Sequence, residues 1–247
     1  MVIPSLSRGF TLLEMVITMV VSTLLILGIA GFIELGAKGY VDSVDRQRVQ
    51  TQAKFVLEKM AREIRHSIPN LLSTERQTGA QSCLNFYPID YSGFYTLSGA
   101  DLLFVLGEDE SPTNIIDVGQ SLIINPARIE DVNNAISLRS ENTSVSGAVV
   151  TILGGAQLIS SDSVAKRVYL FDNPVSYCVV PSVQYSRLYR IENGQTLPLS
   201  GDIVSQSEFR YDQTDLRSGG LVHVELGLTQ RDELSRYQQD IQVLNVP

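Results

Sequence analysis

The stretch Ser7–Glu34, SRGFTLLEMVITMVVSTLLILGIAGFIE, closes on one carboxylate, Glu34, and holds another, Glu14, in surroundings that offer it no water. Nearly every side chain from Phe10 to Ile33 is apolar, yet Glu14 stands five residues in. A carboxylate near the middle of a bilayer costs about 3 kcal/mol on insertion scales, so Glu14 requires a cationic partner. The other residues able to do chemistry are few. His66 and His223 are the two histidines, and neither lies in an H-E-x-x-H pair or near a G-x-S-x-G serine. His66 reads as a capping group at a helix end and His223 as one position of an alternating strand. No catalytic constellation is expected, hence no enzyme, no metal and no cofactor. The acidic run Glu108, Asp109, Glu110 lacks the spaced oxygen ligands of a calcium loop and reads as a solvated loop. Tyr87, Tyr91, Phe94 and Tyr95 fit alternating core positions of strands, with sugar stacking as the alternative.

The two cysteines, Cys83 and Cys178, stand 95 positions apart, too far for a C-x-x-C redox or metal site. Either they bond in an oxidising compartment or they are separate buried thiols. A bond closing so long a loop stabilises by about 4 kcal/mol in the chain-entropy model. A net charge of −8 across 247 residues excludes nucleic acid as partner, since phosphate binding needs a basic face. The charges are scattered without long single-sign runs, so the acidity keeps a head domain soluble.

Three elements must position these groups. Met15 to Ile33 is free of charge, and with Phe10 to Leu13 it reaches the length of a bilayer core. The helical pattern then continues, unlike that of a cleaved secretory signal. Arg8 and the amino terminus are the positive charges that precede the run, favouring a cytoplasmic amino end. Beyond Glu34, Val49, Ala53, Val56, Leu57, Met60, Ile64 and Ile68 recur at three- and four-residue steps, with charges on the other face. Glu58 with Arg62 and Lys59 with Glu63 have helix-pair spacing. No proline intervenes between Pro4 and Pro69, so a helix from Phe10 to Ser67 would run about 85 Å. Gly28, Gly31, Gly36 and Gly39 mark the junction of its halves, where a bend or close helix approach fits.

After Pro69 short strands are expected from Cys83, Gly93, Leu102, Ser121, Ala148, Lys166, Val175, Ser186, Ser207, Leu221 and Asp240. Turns are expected at Ser92–Gly93, Asn193–Gly194 and Gly219–Gly220, and a helix around residues 126–135.

Arg8 to Glu14, RGFTLLE, resembles the class III signal of type IV prepilins and type II secretion pseudopilins. The resemblance implies cleavage by prepilin peptidase between Gly9 and Phe10, N-methylation of Phe10, and pairing of Glu14 with the cationic amine of Phe10 on a neighbouring subunit. Ala53–Asn70 is similar to the helix end of J-type pseudopilins and of minor pilins of the mannose-sensitive haemagglutinin (MSHA) pilus, and CLNFYPI from Cys83 and the terminal QVLNVP resemble those MSHA minor pilins. Gly31 stands where major pilins often carry a proline, which favours a minor component. The implied fold is α+β and pilin-like: a leader, residues 1–9; a transmembrane or filament-core helix, 10–34; an amphipathic helix, 35–69; and an antiparallel β-rich periplasmic head, 70–247. The implied role is pilus assembly from the inner membrane, alternatively secretion as a J-type pseudopilin or glycan binding at a pilus tip. Implied partners are prepilin peptidase, other minor pilins, the major pilin and the assembly platform.

Overall fold

The computed structural model describes residues 11–77, 81–107, 119–181, 185–201, 204–213, 220–230 and 233–243. Its first element is one helix, α1 (Leu12–Arg65). Absence of proline and a long run of good helix formers let it pass Gly28, Gly31, Gly36 and Gly39 without a break. The helix ends at Arg65, ahead of the expected boundary at 69, and Ile68 belongs to a strand. Pro69 bars its predecessor from the helical region, and the buried Ser67 hydroxyl donates to the Ile64 carbonyl at 2.6 Å, closing the last turn.

The chain forms two compact units, Met1–Gln50 and Thr51–Pro247. In the first, every residue from 11 to 44 is exposed. In the second, α1 buries Ala53, Val56, Leu57, Met60, Ala61 and Ile64, the expected stripe.

Fifteen strands follow among the described residues: β1 (Ser67–Gln77), β2 (Gln81–Pro88), β3 (Tyr91–Ser98), β4 (Asp101–Leu106), β5 (Ser121–Ile123), β6 (Ile136–Ser137), β7 (Thr143–Ser146), β8 (Val149–Ile152), β9 (Arg167–Phe171), β10 (Val175–Pro181), β11 (Ser186–Glu192), β12 (Gln195–Pro198), β13 (Val204–Asp212), β14 (Leu221–Gln230) and β15 (Glu233–Gln242). Every pairing is antiparallel. The first sheet runs β1-β2-β10-β11-β13-β14-β15, with β12 also on β11; the second runs β6-β5-β9-β3-β4-β8-β7. The architecture is α+β, a long apolar helix followed by an antiparallel β-rich head.

The second sheet is an insertion. All its strands lie between β2 and β10, which are neighbours in the first sheet. Cys83 and Cys178 face each other across that pair and are joined by a disulfide, Cα to Cα 4.2 Å. The bond fastens the two strands through which the chain leaves for the second sheet and returns. The insertion has its own core, including Leu102, Phe104, Leu122, Val150, Val168 and Leu170. A further cluster seats Ile68 and Leu71 of β1 against Ile123, Tyr169 and Phe171 of the second sheet. Asn70, at φ 65°, sends its amide to the Pro126 carbonyl at 2.9 Å across the same seam.

Several expectations need correction. Ser92 and Gly93 are not a turn but lie within β3. A Cβ on Gly93 would collide with the Val105 carbonyl oxygen of β4, so glycine is demanded by strand approach. Asn193 and Gly194, both at positive φ, do form the turn from β11 to β12, whereas Gly219 lies outside the described residues. The expected helix near 126–135 is a short 3-10 helix, Ile129–Asn134. Strands β1, β6, β7, β12 and the first seven residues of β15 went unanticipated.

Two variants test this construction. Replacing both Cys83 and Cys178 by alanine should lower the free energy of unfolding by about 2–5 kcal/mol in denaturant titration. Gly93→Ala should lower it by about 1–3 kcal/mol through overpacking, whereas Gly99→Ala, where a Cβ meets nothing within 4 Å, should show no such clash and lose only the smaller cost of its positive φ.

Candidate functional site

Gly9 and Phe10 lie outside the described residues. Immediately after them, Thr11 caps α1: its Oγ1 accepts the Glu14 N–H at 3.3 Å, and its carbonyl accepts the Met15 N–H at 3.2 Å. Thr11 and Glu14 thus occupy the N-cap and N3 positions of a T-x-x-E sequence, of which the Thr11 half of the capping box is formed. That signal was present in the sequence and was missed. The cap fixes where the helix starts, and so places Glu14 in the first turn, where the aligned backbone dipoles favour negative charge.

Glu14 is the one ionisable residue between Leu12 and Ile33. Its carboxylate has no hydrogen-bond or ion-pair partner among the described residues. Both threonines on this stretch are turned inward: the Thr18 hydroxyl donates to the Met15 carbonyl at 2.9 Å and the Thr23 hydroxyl to the Met19 carbonyl at 2.8 Å. Leu12, Leu13, Leu24, Leu27 and Phe32 are all more than 60% exposed. By length and composition α1 is able to cross a membrane. At the polar end of the apolar stretch Lys38 and Glu34 form an exposed i,i+4 pair at 2.7 Å.

The head contains a second charged junction. Glu63 of α1 accepts from the Tyr177 hydroxyl of β10 at 2.8 Å and from Arg190 Nε of β11 at 2.8 Å. Lys59 reaches its other oxygen at 3.0 Å, and Arg190 also grips Glu192 at 2.7 Å. Burial alone would raise the Glu63 pKa, but hydrogen bonds from Arg190, Lys59 and Tyr177 outweigh it and hold the carboxyl below its ordinary value of 4.5. Burial, then the Glu63 charge, pushes the Tyr177 phenol upward. This junction fastens the helix end to the first sheet. Sequence spacing showed the Lys59–Glu63 half; the β-strand partners, over a hundred residues away, were invisible.

Both histidines lie in the head. His66 follows the last helical turn, and its carbonyl accepts the Ile89 N–H at 2.9 Å. His223 on β14 stands between carboxylates on the strands either side, Nδ1 to Asp240 at 2.6 Å and Nε2 to Asp212 at 3.0 Å. It ties three strands together. Among the described residues no group of three or more His, Cys, Asp or Glu is able to hold a metal ion, and Glu108, Asp109 and Glu110 lie outside them. Of the aromatic cluster, Tyr87 packs edge-on against Phe171, Tyr91 packs against the second core, and Tyr95 is buried. Tyr95 donates to the Asp162 carboxylate. Phe94 alone points outward, with the Arg167 guanidinium over its ring.

A family model described as the prokaryotic N-terminal methylation motif matches residues 4–30. No curated protein and no solved structure matches the chain. The motif match supports a type IV pilin-like family, in which prepilin peptidase processes the amino terminus, and it covers the cap, Glu14 and most of the exposed apolar run.

The Glu63 junction carries a pH signature. A carboxyl with a depressed folded pKa contributes stability that is present above the unfolded value and lost as pH falls through the folded one. Stability should therefore drop on acidification below about pH 4.5, and Glu63→Gln should reduce unfolding free energy at neutral pH by about 1–3 kcal/mol while flattening that acid limb. Denaturant titrations at pH 7 and pH 3 provide the check.

Proposed function

We propose that this protein is a minor type IV pilin of the MSHA type, which acts by assembly rather than turnover. The precursor sits in the inner membrane on the apolar half of α1, with its amino end cytoplasmic and its β-rich head periplasmic. Prepilin peptidase cuts between Gly9 and Phe10, and the new amine on Phe10 is methylated. The freed helix then leaves lipid for a bundle of like helices in a pilus or its initiating tip complex. There Glu14 meets the amine of a neighbouring subunit, and the head contacts other minor pilins in support of surface attachment.

The observation that carries this reading is the coincidence of three features in one turn. The methylation motif spans residues 4–30, Thr11 starts the helix directly after the cleavage position, and Glu14 is an unpartnered acid on the apolar, exposed first half of α1. Cleavage would place a cation next to that acid, neutralising a charge that hydrocarbon penalises. A desolvated pair of this kind selects register more than it adds strength, because a mispaired subunit leaves both charges bare.

Glu14→Ala should leave the precursor in the membrane fraction but cut its recovery in sheared fibres at least about tenfold, an amount equal to about 1.4 kcal/mol. Immunoblots of both fractions read the two quantities. Normal incorporation of the variant would remove the register role.

A further inference from the structure

The inserted second sheet carries a hollow of about 530 Å³ at one end, where the 3-10 helix Ile129–Asn134, strand β6 and the second 3-10 helix, Gly155–Leu158, converge. Among the described residues its lining holds one cation, Arg139, and no carboxylate. The same lining includes Asn133, Asn134, Gln157, Ser160 and the half-exposed Leu158. None of the five polar side chains has a hydrogen-bond partner among the described residues, so their donors and acceptors are unspent. Asn142, by contrast, is engaged at both ends of its side chain. Its Oδ1 accepts the Arg139 N–H at 3.0 Å and the Thr143 hydroxyl at 2.9 Å, and its amide donates to the Ser137 carbonyl at 3.4 Å. Asn142 therefore braces the loop that presents Arg139.

We propose that this hollow binds an acidic saccharide, with the sugar carboxylate on Arg139, the hydroxyls on the amides of Asn133, Asn134 and Gln157, and a C–H face against Leu158. The chemistry of each wall matches one part of such a ligand. A guanidinium fork fits a carboxylate with two parallel hydrogen bonds. Carboxamides donate and accept at once, as sugar hydroxyls do. Among the described residues no carboxylate in the lining repels an anion and no aromatic ring stacks on a sugar, which suits weak, multivalent surface binding. The proposal stands on the inserted lobe alone and is independent of the assembly role of α1.

The test is titration of the full-length protein in detergent micelles with D-glucuronate, D-glucose and acetate, followed by the ligand NMR signals. Glucuronate should bind saturably with Kd of about 1–10 mM, and glucose and acetate each at least tenfold more weakly. Arg139→Ala and the double change Asn134→Ala, Gln157→Ala should each weaken glucuronate at least tenfold, while leaving the circular dichroism spectrum intact because these side chains are exposed. Asn142→Ala should weaken it too, and adding Arg139→Ala to that variant should cost little more, the mark of a positioning residue. Absence of saturation up to about 50 mM glucuronate overturns the proposal, as does binding that survives Arg139→Ala. Equal affinity for acetate overturns the saccharide assignment, and equal affinity for glucose overturns the role of Arg139.

Discussion

The described chain leaves one greasy surface uncovered, and the assembly role proposed for it follows from the need to cover that surface. Between Met15 and Ile33 the helix presents eleven Leu, Ile, Val or Phe side chains and no charge, all of them exposed. On insertion scales these contribute roughly 3 to 7 kcal/mol toward a membrane, against about 3 kcal/mol for one acid at the bilayer centre and less near a helix end. Hydrophobicity wins, so lipid is a tolerable home for the helix with Glu14 in it. The residual penalty is what makes a second home attractive. A neighbouring helix with a cationic end covers the same apolar face and removes the cost that lipid cannot.

The head is organised around a different constraint, that an inserted sheet must not pull its host apart. Strands β2 and β10 pair directly although the whole second sheet lies between them in sequence. The Cys83–Cys178 bond makes that pairing permanent, and the Ile68, Leu71, Tyr169 and Phe171 cluster seats the insertion on β1. On the other side, Glu63, Tyr177 and Arg190 tie α1 to β10 and β11. Strand β10 thus carries both a disulfide partner and a partner of the helix, which makes it the mechanical centre of the head.

The sequence disclosed what local periodicity controls. The apolar run, the buried stripe at Ala53, Val56, Leu57, Met60 and Ile64, and strands such as β2, β9, β10, β13 and β14 were all legible because three- and four-residue or alternating patterns mark them. Ile68 kept the helical beat and was misplaced, although Pro69 was a visible stop. The early part of β15, ELSRYQQ, shows no apolar alternation; pairing with β14 across ten positions imposes the strand there. Division into two sheets was illegible, since it depends on which distant strands pair. The cysteine question stayed open for the same reason, until register set Cys83 opposite Cys178. At the amino terminus the motif was plain, while the Thr11 cap was overlooked because Glu14 was read only as a membrane charge and not as an N3 residue.

The central claim is that α1 begins its working life with a free cationic end beside Glu14. Mass spectrometry of the protein recovered from cells tests it most directly. The account predicts a mature chain whose first residue is Phe10, heavier by one methyl group, and found together with filament material. A chain that still begins at Met1 in every fraction would contradict it.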